Sequence, residues 1–252
     1  KRQVYTAGVG YSTDSGVKLR GGYTNRRVND RGHQFDASFS VSRVTSEAGI
    51  AYRLPRKDPR VEWLSFDAGY QSEDTDTYDN QIYKVGVKEF HRRSHGWIET
   101  RFIDVSTETF EIAGDRQREF LLIPGVSWSR KRPESATVTR PDKGHRLTLR
   151  VSGTAEAIGS DSEFLQVDAF SKFILPLWKD ARVLLRAEAG ATVKDEFRTL
   201  PASVRYFAGG DYSVRGYDYQ SLSPTNSDGD KIGGRYQFAV SAEYQYSIAE
   251  KW

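Results

Sequence analysis

Four histidines, His33, His91, His95 and His145, are the imidazoles available for metal binding or proton transfer. All four stand in or beside basic connections such as "HRRSHG", where solvated turn residues are the simpler reading than a metal site. No cysteine is present, which excludes a disulfide framework and a thiolate metal site. "SEDTDTYDN", residues 72–80, has enough carboxylates for a weak calcium site. It lacks the ligand spacing of an EF-hand and reads as a solvated loop. No H-E-x-x-H, G-x-S-x-G or phosphate-loop motif occurs, and "GDYSVRGY", residues 210–217, is followed by no helix pattern. Arg186 with Glu188 could suggest a pore lining or acid–base work, but paired charges that keep an interior hydrated are the simpler reading. No catalytic residue, metal ligand or cofactor is therefore expected.

What positions these residues is a repeated alternation. In "RYQFAVSAEYQYS", Tyr236, Phe238, Val240, Ala242, Tyr244 and Tyr246 share one face. Gln237, Ala239, Ser241, Glu243, Gln245 and Ser247 share the other, which is the period of a strand with one apolar side. About twelve segments follow the pattern: roughly 4–13, 17–26, 33–42, 45–55, 61–73, 78–92, 97–112, 117–131, 145–159, 162–177, 181–195 and 235–249. The segment at 97–112 keeps neither face apolar throughout. No segment carries a helix period, so an all-β chain without helices is predicted.

These strands are long. Soluble strands average about 5–6 residues, whereas a tilted strand crossing a bilayer needs about 9–11. One face is charged, through Lys18, Arg20, Asp36, Arg150, Asp168, Arg186, Glu188 and Glu243. The apolar face is expected to carry aromatic residues near strand ends: Tyr5, Tyr11, Trp63, Tyr70, Trp128 and Trp178. That combination fits a transmembrane β-barrel with lipid outside and a wet interior. A large soluble β-barrel or a β-solenoid is the alternative. The mean hydropathy of −0.65 is compatible with a membrane barrel, because only alternate residues face lipid. No apolar run reaches the length of a membrane helix or a retained signal peptide. The net charge of +3 is too small to point to nucleic acid. Every second connection is basic, so one rim of an up-and-down barrel is basic, and the first strand enters from it. That rim is expected to be the periplasmic one.

The longest connection, about 196–234, is rich in tyrosine and glycine. Its aromatics argue against disorder. A loop of this length in a compact domain is usually functional. Gly209, Gly210 and Gly216 permit tight turns, so the loop can pack on itself and fold inward. Arg215 would then need a carboxylate partner, because a buried unpaired guanidinium is costly. The next strand offers Glu243.

"VRGY", residues 214–217, preceded by "RYFAGGDYS" and followed by "YQSLSP", resembles the sixth-loop motif of an outer-membrane assembly and secretion superfamily. That superfamily contains the BamA, TamA and two-partner secretion families. "YTAGVGYSTDSG", "NDRGH", "PGVSWSR" and the terminal "SAEYQY…KW" bring the resemblance closest to the TamA family, over the whole chain. The resemblance implies a bacterial, Gram-negative outer-membrane barrel of 16 strands, preceded by periplasmic POTRA domains. Its sixth loop starts on the extracellular side and folds into the lumen. The motif is Val214, Arg215, Gly216 and Tyr217, with Gly209, Gly210 and Asp211 as loop support and Glu243 as the lumenal partner of Arg215. The first strand, with Tyr5, Ala7, Val9 and Tyr11, would form half of a lateral gate, and its inward glycines suit a weak seam. The function implied is assembly and insertion of outer-membrane proteins, autotransporters among them. The implied partners are those nascent proteins, a periplasm-spanning, inner-membrane-anchored TamB-like protein and the bilayer.

The chain begins at Lys1 without methionine and stops after about twelve strands. It is therefore expected to be a single barrel domain over residues 1–252, a piece of a longer protein lacking POTRA domains and the last four strands. A natural twelve-stranded barrel ending on Trp252 is the alternative. Two other functions share the pattern. One is a secretion pore of the two-partner or patatin-like autotransporter type, whose substrate would touch Gln166, Asp168, Arg186 and Glu188. The other is a diffusion porin, which leaves "VRGY" unexplained.

Overall fold

A computed structural model of the chain describes all residues except 1, 14, 135–140, 179–180, 195–196, 198, 211–212 and 248–252, and the side chain of residue 134. Twelve strands form one antiparallel sheet in sequence order. They are β1 (Gln3–Ser12), β2 (Gly16–Asn25), β3 (Gln34–Val41), β4 (Thr45–Pro55), β5 (Glu62–Asp74) and β6 (Tyr78–Arg92). After them come β7 (Trp97–Ile112), β8 (Asp115–Glu134), β9 (Lys143–Thr154), β10 (Phe164–Trp178), β11 (Ala181–Val193) and β12 (Tyr236–Tyr246). Helical structure among the described residues is limited to three single 3₁₀ turns, at Ser94–Gly96, Glu156–Ile158 and Ala202–Val204. The expected strand from 145 to 159 stops at Thr154, where the Glu156–Ile158 turn closes on Gly159 in a left-handed conformation.

The register sorts every strand into two faces. On β10, Gln166, Asp168 and Lys172 pair across with Ser152, Arg150 and Arg146 of β9 and with Thr192, Gly190 and Arg186 of β11. All of these belong to the polar face. The opposite face carries exposed Val9, Phe66, Val85, Ile103, Leu165 and Phe238. Ion pairs stitch the polar face, including Arg53–Asp36 at 3.0 Å, Lys88–Asp67 at 3.3 Å and Arg186–Glu188 at 2.5 Å.

Strand β7 shows why its sequence pattern was weak. From Phe102 onward every second residue is buried: Phe102, Asp104, Ser106, Glu108, Phe110 and Ile112. Apolar and polar side chains are mixed along that one buried face, so composition does not identify it. Trp63 departs from expectation. It lies on the polar face, in the row of Ser65 and Asp67, and stacks on Phe90 at 5.1 Å. Trp178 does reach the apolar side, near Tyr244, because a register shift between Pro176 and Trp178 turns it over. "SEDTDTYDN" is not a free loop. It is the end of β5, a three-residue turn and the start of β6, with Tyr78 and Asn80 buried.

Candidate functional site

The connection between β11 and β12 folds back over the polar face of the sheet. Its root consists of two arms that run side by side, joined by bridges between Tyr206 and Gly234 and between Ala208 and Leu222. Two apolar clusters seat it. Ala202, Phe207 and Ile232 pack on Tyr78, Phe110 and Ile112. Leu200, Val204 and Phe197 pack on Leu121, Ile123 and Phe164. The strand residues in both clusters stand at polar-face positions, so covering them removes apolar area from water.

Polar contacts then fix the register of the loop on the wall. Glu108 is 1 % exposed. It accepts hydrogen bonds from the Ser203 N–H at 2.9 Å and the Ser203 hydroxyl at 2.5 Å. The Val204 carbonyl accepts from Gln166 Nε2 at 3.1 Å and Thr192 Oγ1 at 2.9 Å. The Tyr206 hydroxyl donates to Asp168 at 2.7 Å. Burial and that carboxylate push the Tyr206 phenol above its ordinary pKa. Gly190 makes room for the tyrosine: a Cβ there would lie 2.4 Å from the Tyr206 ring. Gly190→Val should therefore expel Tyr206 from Asp168 and cost about 1–3 kcal/mol. Denaturant unfolding in detergent would show it as a lowered midpoint; an unchanged midpoint would mean that the glycine is not there for the tyrosine.

Arg205 is the central buried cation. It is 8 % exposed. Its Nε donates to the Leu200 carbonyl at 2.6 Å and its Nη1 to the Ile232 carbonyl at 2.8 Å, so one fork ties both arms of the root. The guanidinium lies 4.9 Å from the Phe197 ring, and Arg235 approaches the same ring at 5.3 Å. Burial pulls the Arg205 pKa down to about 10, against the upward pull of Asp115 and Glu108, and the group stays charged at neutral pH. Sequence reasoning passed over this arginine. The available signal was its place in "VRYF", between residues that turn out to be buried.

The tip of the loop is different. Arg215 is 72 % exposed and its Nη2 stands 3.1 Å from Glu243 Oε2 on β12. Arg215 thus stands beside Glu243, the carboxylate expected to partner it, in a pair open to solvent, whereas the arginine that the loop encloses is Arg205. Val214 and Gly216 stand in the same tip, and Tyr217 is 54 % exposed. Gly209 takes φ +117°, and a Cβ there would meet the Asp218 carbonyl at 2.3 Å, so the tip closes through a position that only glycine fits. The Gly210 N–H donates to the Tyr217 carbonyl at 2.9 Å. Asp211 lies outside the described residues. Tyr219 sits below the tip, its pKa pushed up to about 12 by burial and by Glu73 and Glu47. The Tyr78 hydroxyl donates to Glu73 at 2.6 Å and lies against the Gln220 side-chain amide.

Beside the loop, a cavity of about 430 Å³ is lined by Lys84, Asp104, Arg150, Asp168 and Gln220. A second, of about 540 Å³, separates Tyr219 from β1 and is bounded by Gly8, Gly10, Lys18 and Arg20. A Cβ at Gly8 or Gly10 would meet nothing within 4 Å, so these glycines leave the polar face of β1 bare rather than accommodating a neighbour. The other residues of β1 expected at a gate, Tyr5, Ala7, Val9 and Tyr11, all project from the opposite face, where Val9 is 79 % exposed. Loop tip and β1 residues thus lie on opposite faces of the sheet.

The histidines stand apart. His33 shares a hydrogen bond with the Tyr52 hydroxyl at 2.8 Å, and His91 stands 3.3 Å from Glu62. Among the described residues no group of three metal-ligating side chains converges.

Comparison with known proteins places this arrangement. The outer membrane protein assembly factor BamA of Nitratidesulfovibrio vulgaris is 26 % identical over 253 residues, which cover 94 % of this chain and 31 % of that protein. The crystal structure of BamA from Haemophilus ducreyi lacking POTRA domains 1–3 superposes with a TM-score of 0.82 at 17 % identity, over 96 % of this chain and 53 % of that one. The chain thus has the fold of a transmembrane barrel segment and spans about a third to a half of these relatives. Residues 11–251, nearly the whole sheet with the loop seated on it, match the Omp85 superfamily domain, and the chain belongs to that superfamily.

Proposed function

We propose that this chain is the barrel portion of an outer-membrane protein assembly factor of the TamA branch. It would pass nascent outer-membrane proteins, autotransporters among them, into the bilayer through a lateral seam at β1. The observation that carries this reading is the "VRGY" loop seated on the polar, lumenal face of an Omp85 sheet. The relative from Nitratidesulfovibrio vulgaris, named as an assembly factor, supports the same class of activity.

In this reading no residue performs covalent chemistry. The edge of β1 offers backbone N–H and C=O groups to an incoming strand, as in β-augmentation. Tyr5, Ala7, Val9 and Tyr11 face the lipid beside that strand. The loop root, held by Arg205 and Glu108, keeps the lumen filled, while the Arg215–Glu243 pair tethers the tip to β12. A TamB-like, inner-membrane-anchored protein spanning the periplasm would deliver clients to the basic rim.

Photocrosslinking in cells from Val9, in the full-length protein, tests the proposal. Several different outer-membrane barrels captured at Val9 are expected. Capture of one dedicated secreted protein from Asp168, with none at Val9, would replace the assembly factor with a secretion pore of the two-partner or patatin-like type.

A further inference from the structure

The apolar face of β8 runs through Phe120, Leu122, Pro124, Val126 and Trp128, and then reaches Arg130 and Arg132. The register sets Arg130 opposite Trp97 on β7 and Arg132 opposite His145 on β9. Both arginines therefore point outward, at the strand end that carries the basic turns. A guanidinium in the apolar band is expensive at the bilayer midplane and tolerated at its edge, where headgroups begin. Tryptophan marks the same level.

The outward arginines nearby have a carboxylate partner. Arg93 and Arg101 share Glu99, each at 2.9 Å. Arg130 and Arg132 have no carboxylate within ion-pair distance among the described residues. Arg130 lies 5.9 Å over the Trp97 ring, and its Nε is buried without a hydrogen-bond partner. Only the Nε of Arg130 is enclosed, so its terminal guanidinium nitrogens and the exposed Arg132 are the charged groups that an anion from outside the chain can reach. At the edge of a bilayer that anion is a headgroup phosphate, which a guanidinium can grip with two parallel N–H bonds.

We propose that Arg130 and Arg132, flanked by Trp97 and Trp128, bind the phosphate of an anionic phospholipid in the leaflet next to the basic turns. Two arginines without a carboxylate partner select a net-negative headgroup over a zwitterionic one. The site fixes the height of the barrel in the bilayer at β7–β9, on a wall far in sequence from β1.

Native mass spectrometry of the full-length protein in detergent, titrated with phosphatidylglycerol, tests this. Wild type should retain phosphatidylglycerol in preference to phosphatidylcholine. R130Q/R132Q should bind phosphatidylglycerol about 30-fold more weakly, with unchanged heat-modifiable gel mobility. Equal phosphatidylglycerol affinity in the double variant overturns the proposal. So does a wild-type preference for lipopolysaccharide, which would move the phosphate to the other leaflet. If the double variant does not fold, R132Q alone decides: its side chain is exposed, and an unchanged affinity there overturns the proposal equally.

Discussion

Arg205→Ala is expected to destabilise the folded chain by about 3–5 kcal/mol, against less than about 1 kcal/mol for Arg215→Ala. The difference follows from where each charge sits. The Arg205 fork satisfies two carbonyls on opposite arms of the loop root, Leu200 and Ile232. Truncation leaves both acceptors in a closed site and removes the face that packs on Phe197. Arg215 is mostly solvated, and water replaces Glu243 when the side chain is cut. Arg205→Lys should recover only part of the loss, because an ammonium on one stem does not reproduce a planar fork that reaches two carbonyls. Unfolding in denaturant, followed by the mobility of unheated samples in gels, gives the ordering. Equal midpoints for the two alanine variants would show that the loop root is not what holds the fold.

The second large effect is expected at Glu108, 95 residues from its partner. Glu108→Ala removes the acceptor for both the Ser203 N–H and the Ser203 hydroxyl, and leaves a cavity at a position that is itself buried. A cost of about 1–3 kcal/mol follows from the two lost hydrogen bonds and the cavity. Glu108→Gln should be far milder. Its carbonyl still accepts from the Ser203 N–H, and its amide can donate to the Ser203 oxygen. Limited proteolysis at Arg205 and Phe207 separates the cases: the alanine variant should be cut early and the glutamine variant should resist. Early cleavage of both would assign the role of Glu108 to its charge instead of its acceptor geometry.

Much of the sheet was legible in advance because its signal is local. Alternation with period two depends on neighbours two residues apart, so the strand runs could be placed to within a few residues from side-chain type alone. Lipid and water sort these residues the same way along every strand, which is why Tyr236 to Tyr246 read so cleanly. The failures occur where a third environment intervenes. β7 lost its pattern because its inner face is covered by protein, where Phe110 and Glu108 are both admissible. Trp63 was assigned to lipid because aromatics belong there on average, yet Phe90 on the adjacent strand gave it a stacking partner on the polar side. Tyr78 and Asn80 stood in an acidic run that looked solvated, and only the arriving loop buries them.

The sequence by itself determined an all-β chain, its strand faces, the basic connections, and a long aromatic loop whose "VRGY" segment resembles the superfamily's motif. These rest on short-range periodicity and on a motif of contiguous residues. Which arginine the loop buries was decided only by tertiary structure. Arg205 and Arg215 are the same residue type, ten positions apart in one loop, and nothing local distinguishes them. The distinction is made by partners drawn from β6 to β10, through Glu108, Asp168, Leu121 and Tyr78, which meet the loop only after the sheet has formed. Those contacts close long stretches of chain, and their energy depends on the shape of the wall they fill, which no window of sequence contains.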